Sequence, residues 1–122
     1  MIFSTSLEYR ITDATRADEQ GRFWVINYFF PGDTKIAAQM DPIKLKYGIP
    51  PAQNQSEIVE RLVQFTWREN RIVFANVPPI YLQLLPDGTA RNWEGLAQLD
   101  ERGFLLVTDQ YPQTLFGFAR FP

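Results

Sequence analysis

The 122-residue chain contains no histidine and no cysteine. Without histidine there is no Ser-His-Asp triad, no Cys-His pair, no imidazole general base and no His-bound zinc. Without cysteine there is no thiolate nucleophile, iron–sulfur cluster or disulfide. Any chemistry here rests on carboxylates, amides, hydroxyls, Lys or Arg, or a hard metal. Neither sign of charge dominates, since 12 Lys and Arg stand against 14 Asp and Glu. These charges are scattered and form neither the electrostatic footprint of a nucleic-acid binder nor the basic helix of a membrane-surface protein. Neither partner is expected. No apolar run approaches the ~18 residues of a membrane-spanning helix. A Gly-rich phosphate loop of the P-loop or Rossmann type is also missing, which leaves nucleotide hydrolysis and hydride transfer without support. A cysteine-free chain fits any redox compartment, and nothing in the sequence names one.

What is present reads as β-structure. Apolar stretches are short, β-branched or aromatic, and are punctuated by Gly, Pro, Asp and Asn. They predict strands over Leu7–Ile11, Thr12–Ala17, Arg22–Tyr28, Arg61–Trp67, Ile72–Ala75, Ile80–Leu84, Trp93–Leu99, Phe104–Thr108 and Thr114–Ala119. The best helical window, Gln55–Val63, gives way to period-2 alternation at Val63–Trp67, leaving at most one helical turn there. Asp18-Glu19-Gln20-Gly21 and Asp100-Glu101-Arg102-Gly103 are tight-turn signals, as are Asp87-Gly88 and Arg68-Glu69-Asn70-Arg71. One connection, Pro31–Ser56, shows no sustained period. A loop that long in a compact domain is usually a lid, a binding loop or disordered.

The two Asp-x-x-Gly turns open similar stretches: Ala17–Asn27 aligns without a gap to Leu99–Asp109. Such recurrence points to stacked supersecondary units, and once the insertion is set aside the spacing approaches that of a propeller blade of roughly 40–50 residues. Arg91-Asn92-Trp93-Glu94-Gly95-Leu96-Ala97, followed by Asp100–Asp109, resembles the C-terminal blades of β-propeller proteins of the phytase-like family with esterase-like activity. Gly21–Asn27 is similar to that family's inner-strand pattern. The resemblance implies a sheet-based toroid and hydrolysis of an ester or phosphate ester.

The expected fold is thus all-β, about two four-stranded antiparallel propeller blades with one long inserted loop. Residues 1–30 hold an outer strand and the first inner hairpin, 31–56 the insertion, 57–91 the outer strands of the first blade, and 92–122 a second, incomplete blade. The smallest ring needs roughly 160 residues. Closure would therefore require missing N-terminal blades, in which case the chain is part of a longer protein, or copies of the chain itself. A small sandwich or barrel from the same strands is the alternative.

In the second hairpin, a tight turn over Glu101-Arg102 sets Glu94 across from Asp109; in the first, Thr12 falls across from Asn27. Glu94, Asp109, Asn27 and Asp13 are thereby expected near one rim. They are candidate oxygen ligands for Ca²⁺, with Glu94 and Asp109 as its carboxylates, or a pair for general acid–base work. The alternative is that Asn92, Glu94 and Asp109 cap strand ends and bind backbone N–H groups in the turns. Lys35, Lys44 and Lys46, with Tyr47, could meet an anionic small molecule such as a phosphate ester, or form a solvated loop face. Two function classes remain: an ester hydrolase, and a non-catalytic propeller that binds a small molecule or a protein.

Overall fold

The computed structural model describes residues 6–33, 35, 40–51, 57–109 and 113–122. Its elements are β1 (Arg10–Ala14), β2 (Arg22–Phe29), α1 (Pro42–Tyr47), β3 (Val59–Arg68), β4 (Arg71–Phe74), β5 (Ile80–Tyr81), β6 (Trp93–Leu99), β7 (Gly103–Thr108) and β8 (Phe116–Arg120). Two antiparallel meanders result. The first sheet has the order β1-β2-β3-β4, with β5 also on β3; the second has the order β6-β7-β8, and among the described residues neither sheet closes on itself. The chain is all-β in its framework, as its turn-punctuated pattern predicts.

The hairpins follow from local chemistry. Glu69 and Asn70, with φ of 51° and 60°, supply the two left-handed residues that join β3 to β4. At the β1–β2 turn, Asp18 Oδ1 accepts from the backbone N–H of Gln20 and Arg22, both at 2.9 Å. Gly21 adopts φ 77° there, and a Cβ on it would meet the Trp67 carbonyl oxygen at 2.5 Å.

Four expectations about the elements need correction. Leu7–Ile11 and Thr12–Ala17 do not form two strands; a single strand, β1, begins after Tyr9, whose φ of 70° turns the chain. The predicted Ile80–Leu84 strand is reduced to Ile80–Tyr81, since only Tyr81 and Ile80 pair with Arg61 and Leu62. Val59–Val63 belongs to β3 and is not helical; residues 55–56, the start of that window, lie outside the described residues. The insertion also contains regular structure. Asp41 caps α1, its Oδ1 accepting from Ile43 N at 3.1 Å and Lys44 N at 3.4 Å. Pro42 occupies the first turn, Gly48 closes the helix at φ 76°, and Lys44 and Lys46 stand in the last turn, where they complement the helix dipole.

Alternation along β2 and β3 gives the first sheet two buried faces. Trp24, Ile26 and Leu62 meet Trp93, Phe104 and Leu106 of the second sheet. Trp24 lies edge-on to Phe104 with ring centroids 5.3 Å apart. On the other face, Val25, Val63 and Phe65 receive Ile43 of α1. Burial of each such side chain contributes about 1.5–3 kcal/mol. The insertion therefore adds a third layer, and this explains why β3 is buried without interruption from Val59 to Val63.

Polar bonds join the two sheets at their margins. Glu60 is fully buried; its Oε2 accepts from Arg91 N at 3.0 Å and its Oε1 from Trp93 N at 3.2 Å. Asn92 between them has φ 60°, which curls consecutive N–H groups around the carboxylate. Burial pushes the Glu60 carboxyl up, against the pull of the Arg91, Trp93 and Asn92 N–H groups. Thr12 Oγ1 donates to Trp93 O at 3.0 Å, which ties β1 to β6.

Candidate functional site

The register of β2 on β3 places Asn27 opposite Arg61. Both are fully buried on the face that carries α1. An unpaired guanidinium could not stay there, because the interior does not replace its hydration. Asp41 at the N-terminus of α1 supplies the counter-charge. Arg61 Nη1 donates to Asp41 Oδ2 at 2.8 Å and Nη2 to Asp41 Oδ1 at 3.2 Å, a two-pronged pair. Arg61 Nε donates to Asn27 Oδ1 at 2.8 Å.

Asn27 extends the network to the segment before β1. Its Nδ2 donates to Glu8 O at 2.7 Å and to Arg10 O at 3.3 Å. The Tyr9 ring lies over the Arg61 guanidinium, 5.8 Å from its centroid. Burial, and then the Asp41 charge, push the Tyr9 phenol up, so it stays protonated. Three separate pieces of chain are thus tied to one arginine.

Above this network lies a cavity of about 230 Å³ between α1, the N-terminal segment, β3 and the β4–β5 connection. Its walls include Leu7, Ile43, Val63, Phe74 and Val77, and its polar lining includes Glu8, Asp41, Lys46 and Asn76. Lys46 Nζ donates to Asn76 Oδ1 at 3.1 Å, an exposed contact. Ligand sites typically combine such apolar walls with a few placed polar groups.

The four sequence-predicted residues do not stand in the expected register. Glu94 is not opposite Asp109: Leu99 pairs with Gly103, and Trp93 with Thr108. The turn closes from Arg102 N to Leu99 O at 3.1 Å, one residue earlier than a tight turn over Glu101-Arg102 would. A bulge between Trp93 and Gly95 then leaves Glu94 outside the pairing, exposed. Thr12 is not opposite Asn27 either, because a bulge between Ile11 and Ala14 gives that place to Ile11. Asp13 lies in this bulge. Its Oδ2 accepts from Leu96 N of β6 at 2.7 Å, so the carboxylate stitches the sheets together. Asp109 follows β7 and is exposed. Asn27 belongs to the Arg61 network on the face bearing α1. Among the described residues no group of three or more acidic side chains gathers in metal-binding range.

Sequence reasoning missed Arg61, Asp41 and Glu60. A signal existed: Glu60-Arg61 interrupts the apolar run Ile58-Val59 and Leu62-Val63, where charge is costly unless paired. No known protein family, curated protein or solved structure matches the chain.

Proposed function

We propose that the chain is a non-catalytic binding module whose ligand is a small amphipathic molecule, with its apolar part in the cleft beneath α1 and an anionic group beside Lys46. The supporting observation is the cleft itself, an apolar concavity with one cation among its described lining residues. The Arg61–Asp41–Asn27 network below it is engaged in mutual bonds and serves as a foundation for the cleft. In the finer reading, the two meanders are neighbouring blades of the phytase-like kind. The approach of β1 to β6 and the face-to-face core support that reading.

Anilinonaphthalene sulfonate, an anionic aromatic probe, tests the site. It is expected to bind one-to-one, and Val77→Trp, at an exposed position on the cavity wall, weakens binding by about tenfold or more. Unchanged binding in that variant removes the proposal.

The bulge that turns Glu94 out of the β6 ladder favours a second reading. Here a Ca²⁺ ion held by Glu94 and Asp109 serves ester hydrolysis. It requires a Ca²⁺-dependent rise in melting temperature that Glu94→Gln abolishes; no rise in the wild type eliminates it.

A further inference from the structure

Among the described residues, β8 pairs on one side only, with β7. Thr108 N donates to Leu115 O at 3.0 Å and Phe121 N donates to Arg102 O at 3.2 Å. The backbone groups of Leu115, Gly117, Ala119 and Phe121 therefore turn toward β7, and alternation leaves those of Phe116, Phe118 and Arg120 facing outward. The side chains of these same three residues stand on the solvent face of the sheet, in register with Val107, Leu105 and Gly103. Phe116 is 74% exposed and Phe118 55% exposed.

Open edges are normally blunted by proline, bulges or short length. The β4–β5 edge of the first sheet is broken by Val77-Pro78-Pro79, and β1 carries its bulge at Thr12-Asp13. Phe116–Arg120 has neither device. On its inner side, a groove of about 280 Å³ separates β8 from Leu82, Gln83 and Arg91.

We propose that β8 pairs with β8 of a second copy, antiparallel, about a two-fold axis through Phe118. The five-residue sequence is self-complementary in this register. Phe118 meets the partner's Phe118, and Phe116 meets the partner's Arg120, giving an aromatic pair flanked by two cation–aromatic pairs. Every outward N–H and C=O of Phe116, Phe118 and Arg120 finds its complement. Gly117 and the partner's Ala119, both small, share the inner side. Parallel pairing would instead set the two Arg120 side chains together, a like-charge contact. Head-to-tail stacking of sheets would need the far face of the first sheet, which α1 partly covers. The second copy therefore joins edge to edge and makes one continuous six-stranded sheet.

Sedimentation of the intact chain gives the first readout, with twice the chain mass expected by ~100 µM. Phe118→Pro removes an outward N–H that β7 does not use, so it keeps the fold by circular dichroism and shifts the protein to monomer. The chain has no cysteine, so cross-linking can report the register. Under mild oxidation Phe118→Cys forms a disulfide dimer at least about tenfold faster than Phe116→Cys, whose counterpart is an arginine. A wild type that stays monomeric at ~500 µM overturns the proposal. So do equal cross-linking rates for the two cysteines, a dimer indifferent to Phe118→Pro, or assemblies larger than two.

Discussion

Replacing Asp41 with alanine removes two things at once. Arg61, with a side chain 0% exposed, loses a partner held at 2.8 Å and 3.2 Å and, among the described residues, keeps Asn27, the distant Tyr81 hydroxyl and the face of the Tyr9 ring. Leaving one member of a buried pair uncompensated costs about 3–5 kcal/mol. Helix α1 also loses the cap on Ile43 N and Lys44 N, worth about 1 kcal/mol. Asp41→Ala is therefore expected to cost about 4–6 kcal/mol, a large part of the total stability of a domain this size, which is roughly 6–18 kcal/mol. Asp41→Asn keeps a capping side chain and should cost less, about 3 kcal/mol. The double variant Asp41→Ala/Arg61→Met removes the charge together with its partner and should be more stable than the Asp41→Ala single variant. Urea unfolding followed by tryptophan fluorescence and far-ultraviolet circular dichroism measures all three. A loss below about 1 kcal/mol for Asp41→Ala, or strict additivity in the double variant, would refute the buried-pair argument.

Two further substitutions probe the surroundings of Trp93. The Glu60 carboxyl is pushed up by burial, so the native state holds its proton more tightly than the unfolded chain does. The stability linked to that proton is present below the unfolded value and is lost as pH rises through the folded one. The cost of the non-titrating Glu60→Gln, measured by denaturant titration, should therefore shrink as pH rises above about 4; a growing cost would contradict the assignment. Gly117 packs so closely that a Cβ would overlap the Trp93 ring. Gly117→Ala should cost about 1–3 kcal/mol, or roughly 4–12 °C in scanning calorimetry, and a shift under about 2 °C would mean that the ring moves freely.

The strands were legible because their signals are local. Alternation in Arg22–Tyr28 and Phe104–Thr108, and the Asp-x-x-Gly turns, need no partner to be read. Register was less legible. Whether the chain closes from Leu99 or from Asp100 depends on one turn, and the bulges at Thr12-Asp13 and Glu94 each add a residue that no local pattern announces. Those single-residue slips take Glu94 out of register with Asp109 and Thr12 out of register with Asn27. Helix α1 was readable in principle, from Asp41-Pro42 at its start and Gly48 at its end, but six residues are too few to show a helical period. The site itself depends on chain-distant contacts. Arg61 meets Asp41 only because the insertion folds back over the first sheet, and the apolar walls of the cleft come from four separate segments.

The claim that the α1 cleft is the ligand site is tested most directly by amide chemical-shift mapping of the intact chain titrated with anilinonaphthalene sulfonate. The account predicts saturable, one-to-one shifts concentrated at Ile43–Tyr47, Val63 and Phe74–Val77. Shifts concentrated instead at Leu105–Val107 and Phe116–Arg120, with the residues around α1 unmoved, would contradict it.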